Sequence, residues 1–330
     1  MVEIQKKKRD VTVDAAKGLA MLIIIMSHCG WIVLHAETTY MAFPTNYMAL
    51  PVFFGISGFF AGRRWRSGSV TEPAANFPEQ HLSKVWKVCL KLSGVFLFWS
   101  CLWCLVKRVG ISDYIYGSFA GYWFFVSLLV CFIITELIRY LCSWLHLSDK
   151  WTVRSLVLAW LLMLLANSQI SIECMLYFRD DTCNYFPIYA FGWCIGLRKN
   201  MKKAVVTPLC AVAGLVAFLF QWIVFDEDWN MFSVVAMAGS FVAIWYLMVL
   251  VHKISRLRGL KTIGKHSLII YGYHYFLLLI LSKAGWYVPR QLCNTWWPQI
   301  LICLVLAVII AFIGVVLGRC IKIVKFAFNK

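Results

Sequence analysis

Val13-Asp14-Ala15-Ala16-Lys17-Gly18-Leu19-Ala20-Met21-Leu22-Ile23-Ile24-Ile25-Met26-Ser27-His28-Cys29-Gly30-Trp31-Ile32-Val33-Leu34 decides how the rest of the chain is read. About 20 mostly apolar residues in a helix cross a bilayer, and this run is long enough. It carries three polar residues that a plain anchor does not need: Asp14, Lys17 and His28. At about 100° per residue, Lys17 and His28 share one helical face, about 16 Å apart along the axis. Asp14 lies on the same side, one turn before Lys17. A basic group at the membrane edge then stands above an ionisable imidazole expected near mid-membrane. Ionisable groups inside a bilayer are costly, so they mark function.

The whole chain agrees with a membrane setting. Its 330 residues are 62% hydrophobic and only 14% charged, with a mean hydropathy of +0.75. A soluble domain of this length cannot hide so much apolar surface. The net charge of +17 could suggest nucleic acid. However, the Lys and Arg fall in clusters between apolar runs, so no nucleic-acid partner is expected and membrane lipids are.

The hydropathy pattern predicts an all-α polytopic protein with ten spans, near 13–34, 44–62, 86–106, 121–138, 152–167, 184–197, 204–224, 230–251, 267–283 and 298–318. With both termini cytoplasmic, the outer side keeps only Lys107, Arg108, Arg179, Lys283 and Arg290, and the inner side takes the other 27 of the 32 Lys and Arg. Such a split is the signature of orientation in the plasma membrane, the inner membrane of a bacterium. Residues 1–12 and 321–330 read as basic cytoplasmic tails around a membrane domain at 13–320. The first run exceeds a signal-peptide core and reads as a retained span. No linker or soluble domain is evident. No repeat relates the halves, which argues against an inverted-repeat transporter.

Most of the 13 Cys lie in spans and read as small apolar packing residues. Cys174, Cys183 and Cys293 fall in expected outer loops, where Cys174 and Cys183 could pair. No Cys/His spacing reads as a metal site.

Several further stretches carry polar groups. The second span places Gly55, Gly58 and Gly62 along one side, with Ser57 among them, a pattern suited to close helix packing. Arg63-Arg64-Trp65-Arg66 follows. It reads either as an inner-side anchor or as a clamp for phosphate, which guanidinium binds bidentately. The fourth span opens on Tyr122-Trp123-Phe124-Phe125, as an interfacial aromatic belt would. Glu136 stands three residues before Arg139, either as a helix-surface ion pair or as an acid facing the site. Ser267, Tyr271 and His274 share one face of a late helix.

Together these pieces resemble membrane-bound acyltransferase family 3. Asp14-x-x-Lys17-Gly18, an apolar run and Ser27-His28 resemble its first-helix signature. Pro51-Val-Phe-Phe-x-x-Ser57-Gly58-Phe-Phe and the Arg63 to Arg66 element are similar to its second. Trp123-Phe124-Phe125, Phe186 to Gly196, and Gly264 to His274 match in order. The branch most resembled is that of short, single-domain proteins like fucose 4-O-acetylases. Two departures stand out: Lys17 replaces the commoner Arg, and the Ser-x-x-Glu-x-x-(Gln/Phe) motif of another branch is absent.

The resemblance implies about ten helices and O-acylation, usually O-acetylation. The donor would be acetyl-CoA or another acyl-CoA from the cytoplasm. The acceptor would be a hydroxyl of a sugar or surface-glycan precursor, free or lipid-linked, as in polysaccharide modification. His28 would be the base, or would carry the acyl group covalently, with Lys17 and Asp14 beside it. Arg63, Arg64 and Arg66 would hold the donor, while Ser57, Trp123, Glu136, Tyr271 and His274 would contact substrate or support the site. No metal is implied. Two other classes use the same residues without this chemistry: a transporter or flippase for a small polar or lipid-linked substrate, and a scaffold whose basic face binds anionic lipids.

Overall fold

The computed structural model of the protein describes residues 10–34, 43–69, 77–110, 113–114, 121–169, 176–198, 201–225, 230–254, 257–283 and 296–328. Among the described residues there is no strand. In chain order the helices are α1 (Val11–Ile32), α2 (Leu50–Ser69, entered through a π-helical turn at Thr45–Ala49), α3 (Phe77–Lys107), α4 (Trp123–Trp144), α5 (Asp149–Gln169), α6 (Leu176–Leu197), the short α7 (Met201–Val205), α8 (Pro208–Phe220, extended by a π-helical turn at Gln221–Phe225), α9 (Met231–Ile254), α10 (Arg258–Lys283) and α11 (Trp296–Phe328).

The protein is all-helical, and its apolar helices make it a multi-pass membrane protein. Among the described residues, α1, α3, α4, α8 with its π-helical turn, α9 and α11 are each long and apolar enough to cross a bilayer. Each of the ten apolar segments expected from hydropathy coincides with a helix. The remaining four segments fall on α2, α5, α6 and α10.

Several helices outrun their apolar stretch. α10 begins at Arg258 instead of 267, α3 at Phe77 instead of 86, and α11 runs on to Phe328. The turns added to α10 and α11 are rich in Lys and Arg. Such residues are good helix formers whose long stems let the charge stay in water.

Local signals set the helix starts. Asp10 caps α1, its carboxylate accepting from the Thr12 backbone N–H at 3.1 Å and from the Thr12 hydroxyl at 2.7 Å. Thr207 caps α8 through the Cys210 N–H, with Pro208 in the first turn. Asn230 and Ser233 cap α9 reciprocally, each side chain bonding the other's backbone N–H.

The chain divides into two compact units, one comprising residues 1–53, 206–229 and 239–330, the other residues 54–205 and 230–238. In the first, α1 packs against α10 and α11. Gly18 lies on the backbone carbonyl of Leu260, and Gly264 on that of Asp14. Any side chain at either glycine would collide with main chain, so α1 and α10 meet at backbone distance. Tyr273 of α10 donates its hydroxyl to the Ile310 carbonyl of α11.

In the second unit the close approach joins α2 to α6. Gly58 and Gly62 rest on the backbone of Tyr189 and Trp193, while Gly192 and Gly196 rest on that of Gly55 and Phe59. The glycine stripe of the second span is therefore a packing device. Across α4 and α6, the Thr182 hydroxyl donates to Ser127 at 3.0 Å in the buried interior. Arg139 at the end of α4 holds Asp149 at 2.9 Å and Thr152 at 3.0 Å on α5.

Two expectations change here. Cys183 does not lie in a loop: α6 begins at Leu176, and Cys183 is buried within it. Its carbonyl accepts from the Trp160 indole at 3.1 Å. The expected partner Cys174 lies outside the described residues, as does Cys293. Glu136 is not on a helix surface either; it is buried in α4.

Candidate active site

The site grows from the α1–α10 contact. Residues 246 apart pair His28 with His274, and the same offset separates Gly18 from Gly264. Both pairs ascend together, so the two helices run parallel. Glycine contact at one level brings them close enough for side chains to meet about 15 Å further along.

There, three rings cluster. His28 Nδ1 lies 3.2 Å from His274 Nε2. His28 Nε2 lies 2.8 Å from the Tyr275 hydroxyl. His274 Nδ1 lies 2.7 Å from the Tyr271 carbonyl oxygen. Ring centroids are 5.2 Å apart for His28 and His274, 4.7 Å for His28 and Tyr275, and 4.3 Å for His274 and Tyr275. His274 is fully buried, Tyr275 is buried, and His28 is partly accessible.

The partners assign the protons. A carbonyl can only accept, so His274 carries its hydrogen on Nδ1. With both rings neutral, His274 Nε2 then accepts, and His28 Nδ1–H must donate to it. That leaves the lone pair of His28 on Nε2, where the Tyr275 O–H donates. The order of bonds is therefore Tyr275 O–H to His28, His28 N–H to His274, and His274 N–H to the backbone. A second imidazole thus occupies the position from which an acidic side chain orients the histidine of a hydrolase triad. One nitrogen of His28 is held in place, and the other is a proton acceptor.

At the other end of α1, Lys17 Nζ binds Asp14 Oδ1 at 3.2 Å; Asp14 is buried and Lys17 partly exposed. The ion pair sits beside the Gly18–Gly264 crossing. His28 lies in the last third of α1, four residues before Ile32.

The remaining expected site residues belong to the second unit. Arg63 is partly buried. Arg64 is exposed, its guanidinium 5.5 Å from the Phe132 ring centroid. Arg66 lies on α2, its side chain outside the described residues. Gly196 places the end of α6 against Arg63, so Arg198 and Lys202 extend the same basic cluster. Lys202 Nζ lies 6.0 Å over Phe59. Ser57 is partly buried, and Trp123 stacks on Tyr185 at 6.1 Å. Among the described residues, no group of three or more His, Cys, Asp or Glu is placed to hold a metal ion.

Tyr275, Arg198 and Lys202 were not foreseen from the sequence. For Tyr275 a signal existed. The stripe Ser267, Tyr271, His274 continues at Tyr275 and Leu278 when extended with helical spacing, and all five are buried.

Apolar helices and a hydrogen-bonded pair of imidazoles between α1 and α10 define the class: an integral membrane protein with a polar site among its helices. The chain's sequence specifies which: the profile of the acyltransferase domain of acyltransferase family 3 matches residues 10–316. This protein belongs to that family and is a membrane acyltransferase. No curated protein and no solved structure gives a significant match.

Proposed function

We propose that the protein is an acyl-CoA-dependent O-acyltransferase of the bacterial inner membrane, transferring acetyl to a sugar hydroxyl on a surface glycan or its lipid-linked precursor. The fucose 4-O-acetylase-like branch is the relative whose motifs it shares most. The observation that carries this reading is the bonded trio His28–His274–Tyr275, which leaves His28 with a single oriented proton-accepting nitrogen.

In the proposed reaction the acceptor O–H gives its proton to His28 Nε2. The oxygen attacks the thioester carbonyl carbon, and the carbon–sulfur bond breaks. The CoA thiolate leaves with the proton returned from His28. In the covalent variant His28 attacks first and the acceptor then takes the acyl group. Arg63, Arg64 and Arg66 take the CoA phosphates, joined by Arg198 and Lys202. Asp14 orients Lys17. Ser57, Trp123, Glu136, Tyr271 and His274 support substrate or base. Ten crossings with both termini cytoplasmic would put the basic cluster on the side where acyl-CoA is made.

The test is direct. Purified protein in lipid nanodiscs should release free CoA from acetyl-CoA in a His28-dependent manner. Mass spectrometry of surface glycans should show acetyl groups only in cells carrying the protein. Substrate movement without thioester turnover would sink the enzyme reading in favour of a transporter.

A further inference from the structure

Both ring nitrogens of His28 are occupied: Nδ1 by His274 and Nε2 by Tyr275. A base with no open lone pair cannot act until a partner leaves. His274 is the wrong one to move, being fully buried and held at both of its own nitrogens. The group on Nε2 is a hydroxyl at 2.8 Å, the same functional group that a sugar acceptor would present there.

Resting on the acyltransferase reading above, we propose that the Tyr275 hydroxyl is a placeholder for the acceptor hydroxyl. It covers His28 Nε2 in the resting protein and swings aside when an acceptor O–H replaces it. The exchange is one O–H donor for another at Nε2, so His28 keeps a hydrogen bond there throughout. Water is kept from the base meanwhile. Without the placeholder, a water in that position would give its proton to Nε2 while its oxygen attacks the thioester carbon. The carbon–sulfur bond would break, the carboxylic acid would form, and CoA thiolate would take the proton back from His28. The donor would be spent without transfer. The placeholder thus sets selectivity for sugar over water.

A net hydrogen bond of ordinary strength favours the docked hydroxyl by roughly two- to tenfold. Tyr275→Phe keeps the ring and removes the donor. Acetyl-CoA is supplied to purified protein without acceptor, and free CoA is followed. Expected is a two- to tenfold faster release in Tyr275→Phe, abolished again by adding His28→Ala. Glycan acetylation per CoA consumed should fall. A ring-fluorinated tyrosine at position 275 is a stronger donor and should slow acceptor-free release below wild type. It also gives a readout in a fully tyrosine-like fold. Unchanged or slower hydrolysis in Tyr275→Phe, with wild-type transfer intact, overturns the placeholder alone. A wild type with no His28-dependent CoA release overturns the underlying acyltransferase mechanism and the placeholder together.

Discussion

His28 Nδ1 lies 3.2 Å from His274 Nε2 across 246 residues of sequence. The contact is made possible by a second pair at the same offset, Gly18 and Gly264, where each residue's missing side chain admits the other helix's backbone. Site and scaffold are thus parts of one helix pair. The glycines set the separation and the imidazoles use it.

That relationship predicts a stability defect with a built-in control. A methyl group at Gly264 would collide with the Asp14 carbonyl, whereas one at Gly259 meets nothing within 4 Å. Gly264→Ala should lower stability by about 1–3 kcal/mol. Gly259→Ala on the same helix should be neutral or slightly stabilising. Thermal unfolding midpoints of the detergent-solubilised variants compare them, and equal midpoints would remove the close crossing.

The proposed donor role of the basic cluster predicts a binding defect. Arg63 sits where α2 meets the end of α6, and Arg66 follows on the same helix. Replacing Arg63 and Arg66 by Ala should weaken CoA binding by about 1.5–3 kcal/mol per charge-assisted hydrogen bond lost. Lys202→Ala should weaken it further. Isothermal titration with CoA on folded protein reads the effect; unaltered affinity would place the donor elsewhere.

Orientation is predicted from the 27 inner and five outer basic residues. Reporter fusions after Lys330 and within residues 225–229 should light up on opposite sides of the membrane. Both on one side would overturn the ten-crossing topology.

The segments and the polar face of α10 were legible in the sequence because hydropathy and helical spacing act locally. Ser267, Tyr271 and His274 form a stripe at that spacing, and all three are buried. What His274 touches was not legible, because pairing residues 246 apart depends on how the eight described helices between α1 and α10 pack. Cys183 was misplaced for a related reason. Arg179, Asp180 and Asp181 end the apolar run there, yet α6 continues through them. Charge marks the limit of an apolar stretch, and a helix can run past it. Glu136 and Arg139 show the same divide. Their spacing suited a surface pair, but tertiary packing buries Glu136 and carries Arg139 across to Asp149.

His28 should be indispensable for transfer. His28→Gln keeps a hydrogen-bonding side chain of similar size but cannot accept and return a proton. Transfer should fall about 10²-fold or more while CoA binding persists. Near-normal transfer in this variant would remove both the general-base and acyl-histidine schemes.

His274 should matter through His28 and not through substrate. Its ring accepts the His28 Nδ1–H and is itself held by the Tyr271 carbonyl. His274→Ala removes the imidazole acceptor of that N–H, leaving the Ile24 carbonyl one turn back as its partner. It also frees His28 to carry its proton on Nε2, the tautomer that cannot act as base. Transfer should drop, but less than in His28→Gln. His274→Asn offers a side-chain carbonyl that can accept the same N–H, so it should recover part of the rate. A residue that only fills space would show no such rescue. The kinetic split is equally specific: kcat should fall with little change in KM for acetyl-CoA, because the group acts on the base after substrate is bound. Equal rates for the Ala and Asn variants, or a defect confined to KM, would leave His274 a packing residue.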